Sequence, residues 1–275
     1  ACYAAKEGGR NRVHVFQPDD SQVLEQRGQM QWVTRLQAAL DADRLRLYMQ
    51  PVVALHDDDG AAAPHHEILV RLEEDGQIVP PGAFLPAAER YGLMPRIDQW
   101  VVRNTLAWLG DQLRQHGRID GVYAINLSGA SLSDERFRHA LRATLEQVRL
   151  PPGALCFEIT ETAAVSNLSK VVQFIEEVKA LGCLFSLDDF GSGLSSFAYL
   201  KNLPVDFLKI DGAFVKDIAD DPMDLAMVQA IHAIGHVMGL KTIAEYVSSE
   251  AILQRLREIG VDYGQGYHLG MPRPL

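Results

Sequence analysis

Short apolar segments alternate with amphipathic segments along almost the whole chain, and this alternation limits the possible fold more than any other feature. Strands are predicted over 121–128, 155–161, 184–190, 206–211 and 240–246, with a last short strand near 261–267. Helices are predicted over 30–40, 82–91, 95–116, 133–149, 168–181, 195–201, 222–239 and 249–259. Strands and helices that alternate over about 250 residues indicate an α/β fold of the (β/α)8 TIM-barrel type.

The beginning of the pattern departs from this rule. Strands are predicted over 45–55 and 67–72, and only a turn-rich stretch around Asp57 to Gly60 separates them. Two strands without an intervening helix form an antiparallel pair. We therefore expect a modified barrel in which one strand is reversed.

Composition excludes several classes of protein. The net charge of the 275 residues is −10, whereas a nucleic-acid polymer binder usually presents a basic face. No apolar run approaches the ~18 residues of a membrane span, so no membrane contact is expected from this fragment. Three cysteines are present, and Cys156 and Cys183 lie in apolar strand-like segments, where a buried reduced thiol is expected. This cysteine usage favours a cytoplasmic location.

Acidic and amide side chains stand at the carboxyl ends of successive predicted strands, where barrels of this type place their chemistry. These positions are Asn126, Glu158, Glu161, Asp188, Asp189, Asp211, Glu245 and Gln265, with Lys209 as the one cation and Glu67 reaching the same face from the reversed pair. Each acid alone could be a helix cap or a surface charge, but their joint placement indicates a common site.

Clustered carboxylates repel one another, and hard divalent cations relieve that repulsion. Oxygen ligands favour Mg²⁺ or Mn²⁺ over Zn²⁺. The adjacent pair Asp188–Asp189 could serve two metal ions, an arrangement suited to in-line attack on a phosphodiester.

The first residues carry a resemblance of their own. Ala1-Cys2-Tyr3-Ala4-Ala5-Lys6, followed by Gly8-Gly9 and a strand-like segment over 12–16, resembles the end of a GGDEF (diguanylate cyclase) domain. The resemblance implies that 1–16 is the remnant of such a domain, which would precede this piece in a longer parent protein. We expect 17–29 to be a linker and 30–275 to be the main domain.

That main domain resembles the EAL domain family. The carrying segments are Gln50-Pro51-Val52-Val53, Glu67-Ile68-Leu69-Val70-Arg71, 81–89, Asn126-Leu127-Ser128, Glu158-Ile159-Thr160-Glu161, Asp188-Asp189-Phe190-Gly191-Ser192-Gly193, Leu208-Lys209-Ile210-Asp211, Ala244-Glu245 and 262–267. Each segment alone is weak evidence, but nine in family order are specific. EAL domains are cyclic di-GMP phosphodiesterases, or inactive receptors descended from them.

The resemblance implies roles for individual residues. Metal ligands would be Glu67, Asn126, Glu158, Asp188 and Asp189, with Glu245 either a ligand of metal water or a general base. Lys209 would contact the attacking water or the scissile phosphate, Arg71 would clamp a phosphate, and Gln50, Asp211 and Gln265 would contact substrate or metal. Glu161 would anchor the loop through Gly191, Ser192 and Gly193, which couples the metal site to a homodimer interface.

The implied activity is hydrolysis of cyclic di-GMP to linear 5′-pGpG with two Mg²⁺ or Mn²⁺ ions, with Ca²⁺ inhibitory. A catalytically silent cyclic di-GMP receptor is the alternative, and an unrelated metal-dependent barrel hydrolase is a third. The chain departs from the family at Ile68, at Tyr246 and Ser248 within the family's A-E-G-V-E segment, and at Met271. None of these departures removes an expected metal ligand. Elsewhere, His65 and His66 are expected in a solvated turn, and His232 and His236 are expected not to bind zinc.

Overall fold

The computed structural model describes residues 21–56, 63–191 and 197–275. The expected GGDEF remnant at 1–16 and the loop residues Ser192 and Gly193 lie outside the described residues. Predictions about them therefore stay predictions.

The described chain forms a closed barrel of eight strands. The strands are β1 (Leu45–Ala54), β2 (His65–Glu74), β4 (Val122–Leu127), β5 (Leu155–Thr160), β6 (Leu184–Phe190), β7 (Phe207–Ile210), β8 (Lys241–Ala244) and β9 (Tyr263–Gly264), with β3 (Gln77–Val79) and β10 (Arg273–Pro274) added at β2 and β1. Strand β1 is antiparallel to both of its barrel neighbours, β2 and β9, whereas the other neighbours pair in parallel. The expected reversed strand is confirmed, and β1 is that strand.

Helices cover the outside of the barrel. They are α1 (Ser21–Asp41), α2 (Leu85–Arg90), α3 (Met94–His116), α4 (Gly129–Ser133), α5 (Glu135–Val148), α6 (Glu161–Ser166), α7 (Leu168–Lys179), α8 (Gly212–Val215), α9 (Pro222–Val237) and α10 (Glu250–Ile259), with 3-10 turns at Pro81–Ala83 and Phe197–Asn202. No helix among the described residues is both long and apolar enough to cross a membrane.

Four helical segments differ clearly from their predicted form. The predicted helix 195–201 is, over the residues that the structure describes, a 3-10 turn, Phe197–Asn202. Helix α1 begins at Ser21, within the segment predicted as a linker. The predicted helix 82–91 is a 3-10 turn followed by the short α2, since Pro81 and Pro86 cannot supply backbone donors. The predicted helix 133–149 is preceded by α4, which Ser128 caps, and it begins at Glu135 after a new cap at Asp134.

The main hydrophobic core lies between the strands and the helices. Side chains of a strand alternate between its two faces, so Ile125, Phe157 and Leu187 point away from the barrel axis and are fully buried against the helix layer. A smaller cluster of Val52, Ala124, Cys156, Phe207 and Ile243 forms separately. The position of this small cluster limits how deep in the barrel a functional site can lie.

Candidate active site

The predicted site residues around Lys209 occupy one layer of the barrel interior. Cys156, Phe207 and Ile243 each lie two positions before a predicted site residue, namely Glu158, Lys209 and Glu245. Residues two apart on a strand share a face, so the small cluster is a floor directly beneath the polar layer. Because the floor excludes water from below, the polar side chains face only the open end of the barrel.

Lys209 is the centre of the polar layer. Its side chain is 1% exposed, and its Nζ lies 2.8 Å from Glu245 Oε1, 2.9 Å from Glu158 Oε2, 3.0 Å from Asp188 Oδ1 and 3.9 Å from Glu67 Oε2. These carboxylates raise the pKa of Lys209 well above its ordinary value, against the opposing effect of burial. The lysine is therefore a permanently charged group held at a fixed place.

Glu67 connects the reversed pair to the parallel strands. Asn126 Nδ2 donates to Glu67 Oε1 at 2.5 Å, and Gln265 Nε2 donates to Glu67 Oε2 at 2.5 Å. Gln265 also donates to Gln50 Oε1 at 3.3 Å, and Gln50 donates to the backbone oxygen of Gly270. Four residues predicted from separate motifs are thus joined in one network.

The polar layer contains more carboxyl groups than Lys209 can neutralise, and the pKa values of several of them are raised. Burial is the main cause that raises the pKa of Glu158 and of Glu245, with Lys209 opposing it and neighbouring acids adding to it. Burial and the charges of Asp188 and Asp211 raise the pKa of Asp189 to about 6. These carboxyl groups are held close together at an electrostatic cost, which further cations would relieve.

The donor set fits hard divalent metal ions. Oxygens of Asp188, Asp189 and Glu245 lie within 4.8 Å of one another. Glu158 Oε1 and Gln265 Oε1 are buried without a hydrogen-bond partner, although buried oxygens are normally paired. Carboxylate and amide oxygens at this spacing suit Mg²⁺ or Mn²⁺.

A cavity of about 730 Å³ opens above the polar layer. Gln50, Glu67, Asp211, Glu245 and Gln265 line it, together with Gly212, Ala213, Lys216, Tyr246, Ser248, Gly266 and Tyr267. Three of the four predicted substrate-binding residues therefore face one space. The carboxylate of Asp211 also caps α8 by accepting from the backbone N–H of Ala213 at 2.8 Å.

Arg71, the fourth predicted substrate-binding residue, lies on the same strand as Glu67, four positions further on. Its guanidinium carbon is 5.4 Å from the centre of the Tyr48 ring, and one of its nitrogens donates to the Val70 backbone oxygen. Burial lowers the pKa of Arg71, and nearby Tyr267, which lines the cavity, opposes that shift. Arg71 is thus a half-buried cation near the cavity wall.

Glu161 contacts the loop predicted to depend on it. Its side chain is 4% exposed, and its Oε2 accepts the backbone N–H of Gly191 at 3.1 Å. Gly191 has a φ of +101°, and a β-carbon there would lie 2.9 Å from the Phe214 ring. Only glycine fits this conformation and this space. The contact fixes the chain two residues after Asp189.

One prediction about histidines is contradicted by the structure. The expected solvated turn at His65 and His66 is wrong, since both residues belong to β2 and His65 is 3% exposed. His65 packs in the floor layer at 5.2 Å from the Phe207 ring, where burial and the charge of Lys209 lower its pKa to about 3. The turn was predicted because two polar residues precede Glu67, but the barrel interior accepts a neutral imidazole.

The second pair of histidines lies near a third possible ligand. Atoms of His232, His236 and Asp262 are within 4.8 Å of one another. His236 Nε2 contacts Asp262 at 2.7 Å, Lys241 Nζ donates to Asp262 at 2.8 Å, and Thr242 donates to it as well. These bonds connect α9 to β8 and to the start of β9, and they already use the carboxylate.

Tyr246, Lys216 and Tyr267 also line the cavity, although they are not among the residues predicted for the site. Tyr246 directly follows Glu245, and Tyr267 lies two residues after Gln265. Adjacency to strand-end polar residues is the signal that could have identified them. Their exposure, 62% for Tyr246 and 67% for Tyr267, is visible only in the structure.

Comparison with known proteins gives a consistent result. A family model described as the EAL domain matches residues 33–272. The cyclic di-GMP phosphodiesterase PdeB of Shewanella oneidensis is 41% identical over 280 residues, which cover 100% of this chain and 32% of that protein. The chain thus spans about a third of this curated relative's length.

Solved structures agree with the sequence comparison. A structure of a Pseudomonas aeruginosa phosphodiesterase, PaMucR, in complex with c-di-GMP matches with a TM-score of 0.81 at 35% identity, covering 89% of this chain and 98% of that one. The FimX EAL domain from Pseudomonas aeruginosa bound to c-di-GMP matches with a TM-score of 0.78 at 35% identity, covering 88% and 96%.

Proposed function

This chain belongs to the EAL domain family, and we propose that it hydrolyses cyclic di-GMP to linear 5′-pGpG. The reaction consumes one water and breaks one of the two P–O3′ bonds, which leaves a 5′-phosphate and a 3′-hydroxyl. The observation that carries the proposal is the polar layer itself. Lys209 is fixed among Glu67, Glu158, Asp188 and Glu245 at the floor of an open cavity.

The polar layer favours an enzyme over a silent receptor. Receptors that have lost activity need no intact ligand set, whereas here Glu67, Asn126, Glu158, Asp188 and Asp189 are all present at the barrel mouth. We propose that these residues and Glu245 hold two Mg²⁺ or Mn²⁺ ions. Such ions neutralise phosphate charge and make water more acidic.

The chain's own residues supply the remaining chemistry. Lys209 keeps its charge and can stabilise negative charge as it develops on the phosphoryl group. Arg71 is suited to hold a phosphate through its guanidinium fork, and the raised pKa of Glu245 suits it either to accept a proton from water or to serve as a ligand. Gln50 and Gln265 hold Glu67 in place.

We further propose that the domain forms a homodimer and that the loop from Gly191 connects the site to the interface. The dimer is proposed from membership of the family, and the bond from Gly191 N–H to the buried Glu161 supports the coupling of the loop to the site. Sedimentation of the purified chain tests the dimer. A monomer at all concentrations, with full activity, would contradict it. We also propose a cytoplasmic location and a cyclase domain upstream in the parent protein.

Incubation with cyclic di-GMP and Mg²⁺ or Mn²⁺, followed by separation of the nucleotides, tests the function. We expect 5′-pGpG from the wild type and no turnover from Glu67→Ala, because that change removes a ligand that the fold does not require. Ca²⁺ should bind without supporting turnover, since it prefers longer bonds and looser geometry. Glu146→Gln, at an exposed helix position, is the matched control and should retain the rate. Binding without turnover in every metal would instead indicate the receptor.

A further inference from the structure

Tyr246 has a backbone conformation that a non-glycine residue rarely adopts. Its φ is +59°, in the left-handed region, which costs a residue with a β-carbon about 1 kcal/mol or more. The family segment that this part of the chain resembles has glycine here, which would carry no such cost. A large side chain at this position therefore works against the local backbone preference.

The surrounding structure fixes this conformation. The backbone N–H of Glu245 donates to Ile210 at 3.2 Å, and that of Val247 donates to Gln265 at 2.9 Å. Both neighbours of Tyr246 are thus bonded to adjacent strands. A β-carbon on Gly212 would lie 2.8 Å from the Tyr246 β-carbon, so the glycine at 212 leaves the space in which the tyrosine sits.

The side chain that is held this way has no evident structural task. It is 62% exposed, and no described residue forms a hydrogen bond or ring contact with it. Burial of its ring in the core is therefore not what offsets the backbone cost. Instead, the side chain lines the cavity above the polar layer, directly after Glu245.

We propose that the Tyr246 ring is a stacking surface for one guanine base of the substrate. An aromatic ring next to the reacting centre has the right shape and chemistry for a planar purine, whose face stacks on aromatic side chains. The inference rests on the proposed function, because it names the part of cyclic di-GMP that Tyr246 would contact. It makes Tyr246 a substrate-binding residue in this chain.

The test compares Tyr246→Gly with Tyr246→Phe. The glycine variant should weaken cyclic di-GMP binding by about tenfold, with KM affected more than kcat, while the phenylalanine variant should bind as the wild type does. Thermal unfolding of the glycine variant should not occur at a lower temperature, because glycine relieves the left-handed strain. Tyr91→Ala, at a tyrosine outside the cavity, is the control for binding and should leave the affinity for cyclic di-GMP unchanged.

A second substrate tests whether the ring contacts the base itself. In an analogue of cyclic di-GMP with both guanines replaced by hydrogen, the wild type should lose at least about tenfold in affinity, and Tyr246→Gly should bind the analogue as tightly as the wild type does. Unchanged cyclic di-GMP binding by Tyr246→Gly, or additive losses with the analogue, would overturn the inference while wild-type turnover still upholds the function. If the wild type binds cyclic di-GMP without turnover, the function fails and the affinities still decide the stacking. If it does not bind at all, both fail.

Discussion

At the scale of single residues, Lys209 and Arg71 are expected to have separable effects. Lys209→Ala should reduce turnover by orders of magnitude yet leave cyclic di-GMP binding within about tenfold, since a charge aimed at the phosphoryl group matters most where negative charge develops. Arg71→Ala should weaken ground-state binding visibly, because a phosphate clamp acts on the bound substrate as well.

Calorimetric titration in Ca²⁺, alongside rates in Mg²⁺, separates these two roles. If Lys209→Ala lost binding as severely as Arg71→Ala, Lys209 would have to be reassigned as a substrate-binding residue. The buried position of Lys209 makes a control necessary. Lys209→Met keeps most of the volume of the side chain and should match the alanine variant in turnover.

Proton competition at Asp189 is a second consequence at this scale. Its pKa is about 6 without a metal, so the carboxyl must lose a proton before it can bind a cation. Affinity for Mn²⁺ should therefore fall as the pH is lowered through 6, in addition to the decrease that the raised pKa of Glu245, about 8, causes at higher pH. Titrations between pH 5 and 8 measure this, and Asp189→Asn should bind more weakly with a flatter pH profile near 6. An equally steep profile in that variant would refute the assignment.

At the scale of elements, the position of the loop after β6 should depend on Glu161, the first residue of α6. Glu161→Ala leaves the N–H of Gly191 without its partner and removes the only described anchor two residues after Asp189. We expect the affinity for Mn²⁺ to fall about tenfold while the fold is retained. The lost hydrogen bond no longer holds Asp189 in the position in which it would bind the metal. Glu161→Gln can still accept this bond and should restore much of the affinity. Failure of glutamine to rescue would point to the charge of Glu161 instead.

The elements also show how far sequence reasoning reaches. The apolar segments of β5 and β6 predicted both strands, and the acidic residues at their carboxyl ends predicted that Glu158 and Asp188 lie at the same end of the barrel. Helix ends were less predictable: proline chemistry shortened α2, and a cap at Asp134 divided a predicted helix. His65 was misplaced because a barrel interior tolerates a neutral imidazole, which only the three-dimensional packing reveals.

Site residues at predicted strand ends could be identified from the sequence. Site residues that are only neighbours of those positions could not. Glu67, Asn126 and Gln265 were predicted, and the structure joins them by hydrogen bonds. Tyr246 was noted only as a departure from a family segment. Its proposed role depends on its positive φ angle and on the exposure of its side chain, and neither can be predicted from the amino-acid sequence.

At the scale of the whole molecule, divalent metal should stabilise the fold. The carboxylates around Lys209 repel one another in the folded barrel and separate on unfolding, so ions that bind only the folded state raise the free energy of unfolding. Thermal unfolding should occur several degrees higher in Mn²⁺ at about 100 times its dissociation constant, a stabilisation of about 2.7 kcal/mol. Asp188→Asn should reduce the shift strongly, whereas Glu146→Gln should retain it. An undiminished shift in Asp188→Asn would place the stabilising ion elsewhere.

The reversed strand also determines when the barrel can close. Strand β1 lies early in the sequence, but its second barrel neighbour, β9, lies near the other end of the chain. Strand β10, which also pairs with β1, follows β9. As the chain leaves the ribosome, β1 and β2 can pair as a hairpin at once, while the other edge of β1 stays open until nearly all of the domain has been synthesised. Contacts between distant segments form slowly, and open strand edges invite pairing with other chains. The interval before this seam closes is therefore the period in which a nascent chain is most exposed to aggregation, and in which chaperones would have the most to protect.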